Sequence, residues 1–244
     1  MGHPRPSGLP VGDRRAVVGQ VLAVWLATLV AIRLVVGTSA SLGGWPGDLL
    51  LAAVPLLFMY VPVWVERAHG RDPDRYPIML PARSDWATWR TALRLNAVVI
   101  VLITVPWVVG YHLYQTHIFG FQWEGTLPPN PALLVAYHLF FAAIPEEIFY
   151  RGYLQSRLDE VFPTAWRLFG AQVGSGLLIT SVIFAFGHSI VRFQWWHFAI
   201  VFPALAFGWM RARTGSVAAG ALFHAWCNIT VGLLDALYGV TPPS

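Results

Sequence analysis

From residue 17 to residue 36 the chain runs through twenty positions with one formal charge, Arg33. That matches the roughly 20 apolar residues needed to cross the hydrocarbon core of a bilayer as a helix. Six further apolar runs follow, at 49–65, 95–111, 131–153, 173–190, 195–210 and 217–238. In hydrocarbon every backbone N–H and C=O must find a partner within the protein, so runs of this length are read as helices. A β-barrel would show short alternating segments instead, and none are visible. The predicted fold class is all-α, a polytopic transmembrane helical bundle of about seven to eight helices. Residues 16–244 are read as a single integral membrane domain, with a catalytic core at about 131–232.

Composition agrees. Only 11% of residues are charged and 56% are hydrophobic, against about 25% charged in ordinary soluble domains. The net charge of +4 comes from sixteen arginines with no lysine. Apart from Arg33 and Arg151 they lie between the apolar runs, where a membrane surface explains them better than nucleic acid does. The one cysteine, Cys227, excludes an intramolecular disulfide and any multi-cysteine metal site. The first apolar run is too long for a cleavable signal peptide.

Arginine placement orients the bundle. Residues 1–15, with Arg5, Arg14 and Arg15, read as a cytoplasmic tail. The 66–94 connector, the segment after residue 150 and the Arg211–Arg213 turn are also basic, whereas the opposite connectors hold only Arg192. The positive-inside rule then puts the N-terminus in the cytoplasm and the C-terminus outside, in a membrane that we expect to be the bacterial inner membrane. Residues 39–46 read as a Gly/Ser turn, and 66–94 as an irregular connector ending in an interfacial helix at 86–93. Residues 155–169 read as an interfacial segment. Arg33 is expected to snorkel to the headgroups, and Trp86, Trp123, Trp166 and Trp195 to mark the interfaces.

One stretch does not suit a chain built only to insert: Ile144-Pro145-Glu146-Glu147-Ile148-Phe149-Tyr150-Arg151. It holds two of the protein's five glutamates, after a run from 131 to 144 with no formal charge. A charged side chain at the centre of a membrane helix costs at least about 2.5–3.5 kcal/mol, and intramembrane ionisable groups mark functional sites by default. Glu147 and Arg151 are i,i+4 neighbours in the favourable acid-first order, while Glu146 points about 100° away. One glutamate is thus held by the arginine and the other is left for chemistry. Pro145 removes a backbone hydrogen bond just before the pair and is expected to kink the span.

Two later spans carry histidines in apolar settings. The fifth has Phe184 and His188; the seventh has Ser216, Gly220, His224 and Asn228, four apart on one helix face. Alone, that stripe is equally well read as helix-packing contact. Together with the carboxylates, these groups could converge on one wet cavity. A carboxylate beside a histidine can take a proton from water, and a second histidine with an amide can donate to an oxyanion.

These segments resemble the signatures of the CAAX prenyl protease and bacteriocin-processing family, also called the Abi family, of intramembrane glutamate-dependent endopeptidases. The family's Glu-Glu-x-x-x-Arg falls on Glu146, Glu147 and Arg151, its Phe-x-x-x-His on Phe184 and His188, and its His-x-x-x-Asn on His224 and Asn228. The likeness covers about 133–231 and leaves out the first three spans; family members usually have eight transmembrane helices. It implies that Glu146, assisted by His188, activates water, that His224 and Asn228 stabilise the oxyanion, and that Glu147 and Arg151 shape the site. It implies no cofactor, and a membrane-associated or exported protein or peptide as substrate. Myxosortase-like members process the sorting tags of exported proteins.

Other readings stay open on the residues alone. Glu146, His188 and His224 could ligate zinc, although no His-Glu-x-x-His is present and adjacent glutamates on a helix diverge. A non-catalytic membrane scaffold or immunity protein is a further alternative. A nucleophilic Cys227 and a proton-coupled carrier are weaker. His112, His117, His138 and His197 are assigned to packing or the interface; His138, eight residues before Glu146, shares its face. With straight helices Glu146 and His188 would differ in depth by about 10 Å.

Overall fold

The computed structural model describes residues 11–240. The expected tail lies largely outside them, but residues 11–15 already belong to the first helix. Helix α1 is Val11–Leu42, α2 Gly44–Ala68, α3 Trp86–Phe119 and α4 Pro131–Val161. A two-stranded hairpin follows, β1 (Thr164–Leu168) and β2 (Ala171–Gly174), then α5 (Ser175–Val191). A 3₁₀ segment, Trp195–Ile200, leads into α6 (Val201–Thr214), and α7 is Val217–Leu237. The architecture is the expected all-α bundle, with α1 to α4 and α7 long and apolar enough to cross a membrane.

Several boundaries differ from the sequence reading, each for a local reason. The 39–46 turn is mostly helix, because Ser39 and Ser41 stay within α1, the Ser39 hydroxyl bonding the Gly47 carbonyl and that of Ser41 the Gly37 carbonyl. The 86–93 interfacial helix is the first part of α3, which Asp85 caps by accepting from the Thr88 N–H. No interfacial helix covers 155–169. Instead α4 continues to Val161, and β1 and β2 pair antiparallel, Leu168 opposite Ala171. Their two-residue turn has Phe169 and Gly170 both at positive φ, 44° and 81°, as a tight hairpin turn requires. The sixth apolar run starts as the 3₁₀ segment, so its α-helix begins at Val201. Arg33 reaches the Val191 carbonyl at the end of α5 rather than acting through headgroups alone.

Helices α4 and α7 form the centre. Phe149, Tyr153 and Leu154 of α4 and Val217, Ala218 and Ala219 of α7 are fully buried. α3 lies outside, with Val101, Leu102 and Val105 exposed, as suits a helix facing lipid tails. Its inner face packs Ala92, Val99, Ile103 and Trp107 on the core, and buried Asn96 adds a polar tie by donating to the Ala219 carbonyl of α7 at 3.0 Å. Small residues let α7 approach its neighbours, as the Gly220 position shows below.

The connector after α2 is docked by charge. Glu66, fully buried at the end of α2, accepts from Arg71 Nε and Nη2 at 2.7 and 2.9 Å. Arg157 of α4 donates to the Tyr76 hydroxyl at 3.0 Å, and that hydroxyl donates to Glu160 at 2.8 Å. Gln20 of α1 accepts from both Arg71 and Arg157. Burial raises the Tyr76 hydroxyl to a pKa of about 12, against the lowering effect of the Arg157 charge.

Candidate active site

The site starts from a break in helical winding. Pro145 has no N–H to return to the carbonyl four residues earlier. The turns before it, Tyr137–Ala143, and after the glutamates, Ile148–Leu154, are π-helical. The short α-helical piece Ile144–Glu147 between them carries the carboxylates. Wide turns of this kind recur at functional sites.

Because α4 runs from residue 131 to residue 161, Glu146 lies at mid-helix and not near an end. The expected depth difference from His188 is thereby removed: Glu146 Oε2 and His188 Nε2 are 3.9 Å apart. His224 Nε2 is also 3.9 Å from Glu146 Oε2. The two carboxylates are divided as their helical angles predict. Glu147 is fully buried and bonded to Arg151 Nη1 at 2.8 Å, while Glu146 keeps 17% of its side chain accessible.

Glu147 has a second partner, accepting from His224 Nδ1 at 3.1 Å. Arg151 completes its shell by donating to the Ala204 carbonyl of α6 at 3.2 Å. Its guanidinium lies 4.2 Å from the centre of the Phe184 ring, a cation–π distance. The edges of the same ring meet His188 and His224, at centroid distances of 4.7 and 5.7 Å. Phe207 stacks on His224 at 4.7 Å and 14°. One phenylalanine thus fixes the arginine and both histidines, which gives the Phe184-x-x-x-His188 pattern a physical reason.

Hydrogen bonding sets the tautomers. His188 Nδ1 faces the Phe184 carbonyl at 3.0 Å. A carbonyl only accepts, so Nδ1 carries the proton and Nε2 presents its lone pair toward Glu146. His224 Nδ1 likewise donates to Glu147, and its Nε2 faces Glu146. Asn228, one turn beyond His224, lines the same cavity as both histidines, a space of about 800 Å³. All six residues singled out from sequence therefore belong to one cluster or its adjoining cavity.

Two positions of this cluster were less legible. His138 and His197 also line the cavity, with the His197 ring 5.7 Å from that of His188. Spacing signalled His138, eight residues before Glu146; nothing in the local sequence signalled His197. Gly220 is a third: a Cβ there would lie 2.9 Å from Glu147 Oε2, so its lack of a side chain admits the carboxylate. Ser216 belongs to the N-terminus of α7, where its hydroxyl accepts from the Ala218 N–H. Cys227 is buried beside the cavity.

Among the described residues no group of three or more His, Cys, Asp or Glu side chains is arranged to hold a metal ion. Tetrahedral zinc ligands at about 2.0–2.2 Å from the ion stand roughly 3.4 Å apart. The two 3.9 Å separations around Glu146 are wider than that.

Residues 128–230 match the family model for type II CAAX prenyl endopeptidase Rce1-like proteins. No curated protein and no solved structure matches the chain. The matched segment contains Glu146, Glu147, Arg151, His188, His224 and Asn228 with the helices that bring them together, and over these residues the chain is similar to the CAAX-protease family of membrane endopeptidases.

Proposed function

We propose that this chain is an intramembrane endopeptidase that hydrolyses a peptide bond with water activated by Glu146 and His188. The observation that carries the reading is the placement of Glu146 Oε2 at 3.9 Å from both histidine Nε2 atoms. These distances are too long for direct hydrogen bonds, yet a water oxygen about 2.8 Å from both Glu146 Oε2 and His188 Nε2 is geometrically allowed. Both groups accept, so such a water donates one hydrogen to each and turns a lone pair toward the cavity. As it attacks the scissile carbonyl carbon, Glu146 takes its proton, the C–O bond forms and the carbonyl oxygen becomes an oxyanion.

Asn228 donates to that oxyanion from its amide. His224 donates from Nε2 in its doubly protonated form, with its Nδ1–H held by Glu147. The proton taken by Glu146 then passes to the departing nitrogen, the C–N bond breaks, and a carboxylic acid and an amine leave, the acid ionising in water. Glu147 and Arg151 position His224 and touch no reacting atom. The substrate is a membrane-associated or exported protein or peptide.

The test is cleavage of a membrane-peptide library by the purified chain, with and without a zinc chelator. Glu146→Gln is expected to lose about 10²–10⁴-fold in rate, the range for removal of a general base. Wild-type activity is expected to survive chelation. Loss on chelation with recovery on zinc would replace this mechanism by a metallopeptidase, and full activity in Glu146→Gln would remove Glu146 from the chemistry. If no peptide is cut, the substrate is sought as the protein that accumulates uncleaved in a deletion strain; the lack of one would favour the scaffold reading.

A further inference from the structure

The cavity extends well beyond the histidines. Along α7 its wall continues from His224 through Asn228, Val231 and Gly232 to Asp235, a stripe on one helix face. Trp107 of α3, Pro128, Pro129 and Val240 also line the cavity. Among the described residues, Asp235 is the one carboxylate in that wall, and the wall contains no arginine or lysine. The segments that build this end, which include His112 and His138, carry no arginine or lysine: the sequence has none between Arg94 and Arg151, or after Arg213.

Asp235 is a poorly compensated anion. It lies in the last turn of α7, where the helix end is itself negative. Its Oδ1 accepts from the Tyr111 hydroxyl, and among the described residues no cationic side chain pairs with it. Aromatic rings crowd the same end. Tyr111 lies 5.6 Å and Trp123 5.4 Å from the Tyr238 ring, and Trp107 shares the cavity wall with Asp235. A carboxylate among aromatic faces is the environment that selects an ammonium or guanidinium group.

We infer that Asp235 is a specificity determinant that binds a positively charged group of the substrate at the far end of the cavity. The inference rests on the reading of this cavity as the peptide site. Asp235 is seven residues past Asn228 on α7, about 10.5 Å along the axis at 1.5 Å per residue. An extended peptide covers that distance in about three residues. The substrate class is therefore a peptide with an arginine, a lysine or a free amino terminus about three residues from the bond that is cut, within a segment otherwise apolar enough for this wall.

Binding can be read without cleavage, on the full-length Glu146→Ala protein in nanodiscs. The probes are fluorescent apolar decapeptides with one Arg, norleucine or Glu walked along the sequence, each with a free or an acetylated amino terminus. At its best position the Arg peptide is expected to bind about tenfold tighter than its norleucine counterpart, a typical gain for a desolvated cation contact. Adding Asp235→Asn should bring that ratio within about twofold, and Asp235→Arg should shift preference to the Glu peptide. A preference that survives acetylation assigns a side-chain cation, and one that vanishes assigns the amino terminus; either places the cation at Asp235. Equal binding of Arg and norleucine peptides, or a preference that persists in Asp235→Asn, would overturn the inference. If Asp235→Asn does not fold, Trp107→Leu removes the aromatic wall and is read by the same ratio. Cleavage by wild type is scored separately, so a failure of the hydrolytic mechanism and a failure of the cation site give different results.

Discussion

Glu147 and Arg151 are a fully buried ion pair, and such pairs are defined by what happens when one partner is lost. Arg151→Leu leaves the Glu147 carboxylate buried beside His224 alone, and it removes the cation from the Phe184 ring. We expect a cost of about 3–5 kcal/mol, the range for breaking a buried pair from one side, seen as a lower unfolding midpoint in detergent. The double variant Glu147→Gln/Arg151→Leu should recover part of that loss, because no uncompensated charge remains. At this scale the sequence was informative where partners are local. The split between Glu146 and Glu147 follows from their angular separation and from an arginine four residues on. Glu66 was not legible in the same way. It read as part of an irregular connector, because Arg157, 3.9 Å from it, and Gln20, which accepts from both of its arginines, come from distant parts of the chain.

At the scale of elements, α4 is held by the connector that runs beside it. A Cβ on Gly152 would lie 2.7 Å from the Pro77 carbonyl, so that backbone passes directly against the helix. Tyr76 anchors this contact as a neutral phenol. Its folded pKa is raised above its unfolded value near 10, so its contribution is complete below pH 10 and is lost as pH rises toward about 12. The unfolding midpoint should therefore fall between pH 10 and 12, and Tyr76→Phe should flatten that part of the profile. Elements were legible where apolar length defines them, and less so where geometry decides. The hairpin after α4 hid because β1 alternates only weakly and carries Arg167. Its turn had a single marker, Gly170. The extra turns of α4, which place Glu146 level with His188, were hidden because 154–161 is polar enough to resemble a surface segment, yet Gln155, Ser156 and Arg157 are buried against other helices.

Over the whole molecule, the helices divide into long ones around the outside and centre and two short ones on the site's flank. α5 has 17 residues and α6 has 14, about 25 and 21 Å at 1.5 Å per residue, against a hydrocarbon core of about 30 Å. Both pack on the Glu146–His188–His224 cluster: α5 carries His188, and α6 supplies Phe207 and the Ala204 carbonyl. A bilayer meets such a pair by thinning locally, at fractions of a kcal/mol per Å of mismatch. Such thinning would draw the headgroups and their water inward on this flank and, on the proposed mechanism, shorten the path of the hydrolytic water to Glu146. In proteoliposomes of increasing acyl-chain length, peptide cleavage should fall progressively as thicker bilayers resist that deformation, whereas the unfolding midpoint should change much less. A rate indifferent to thickness would mean that water enters from the cavity mouth alone. On the proposed mechanism, the short helices would make the lipid itself a component of the water supply, with membrane thickness acting as its throttle.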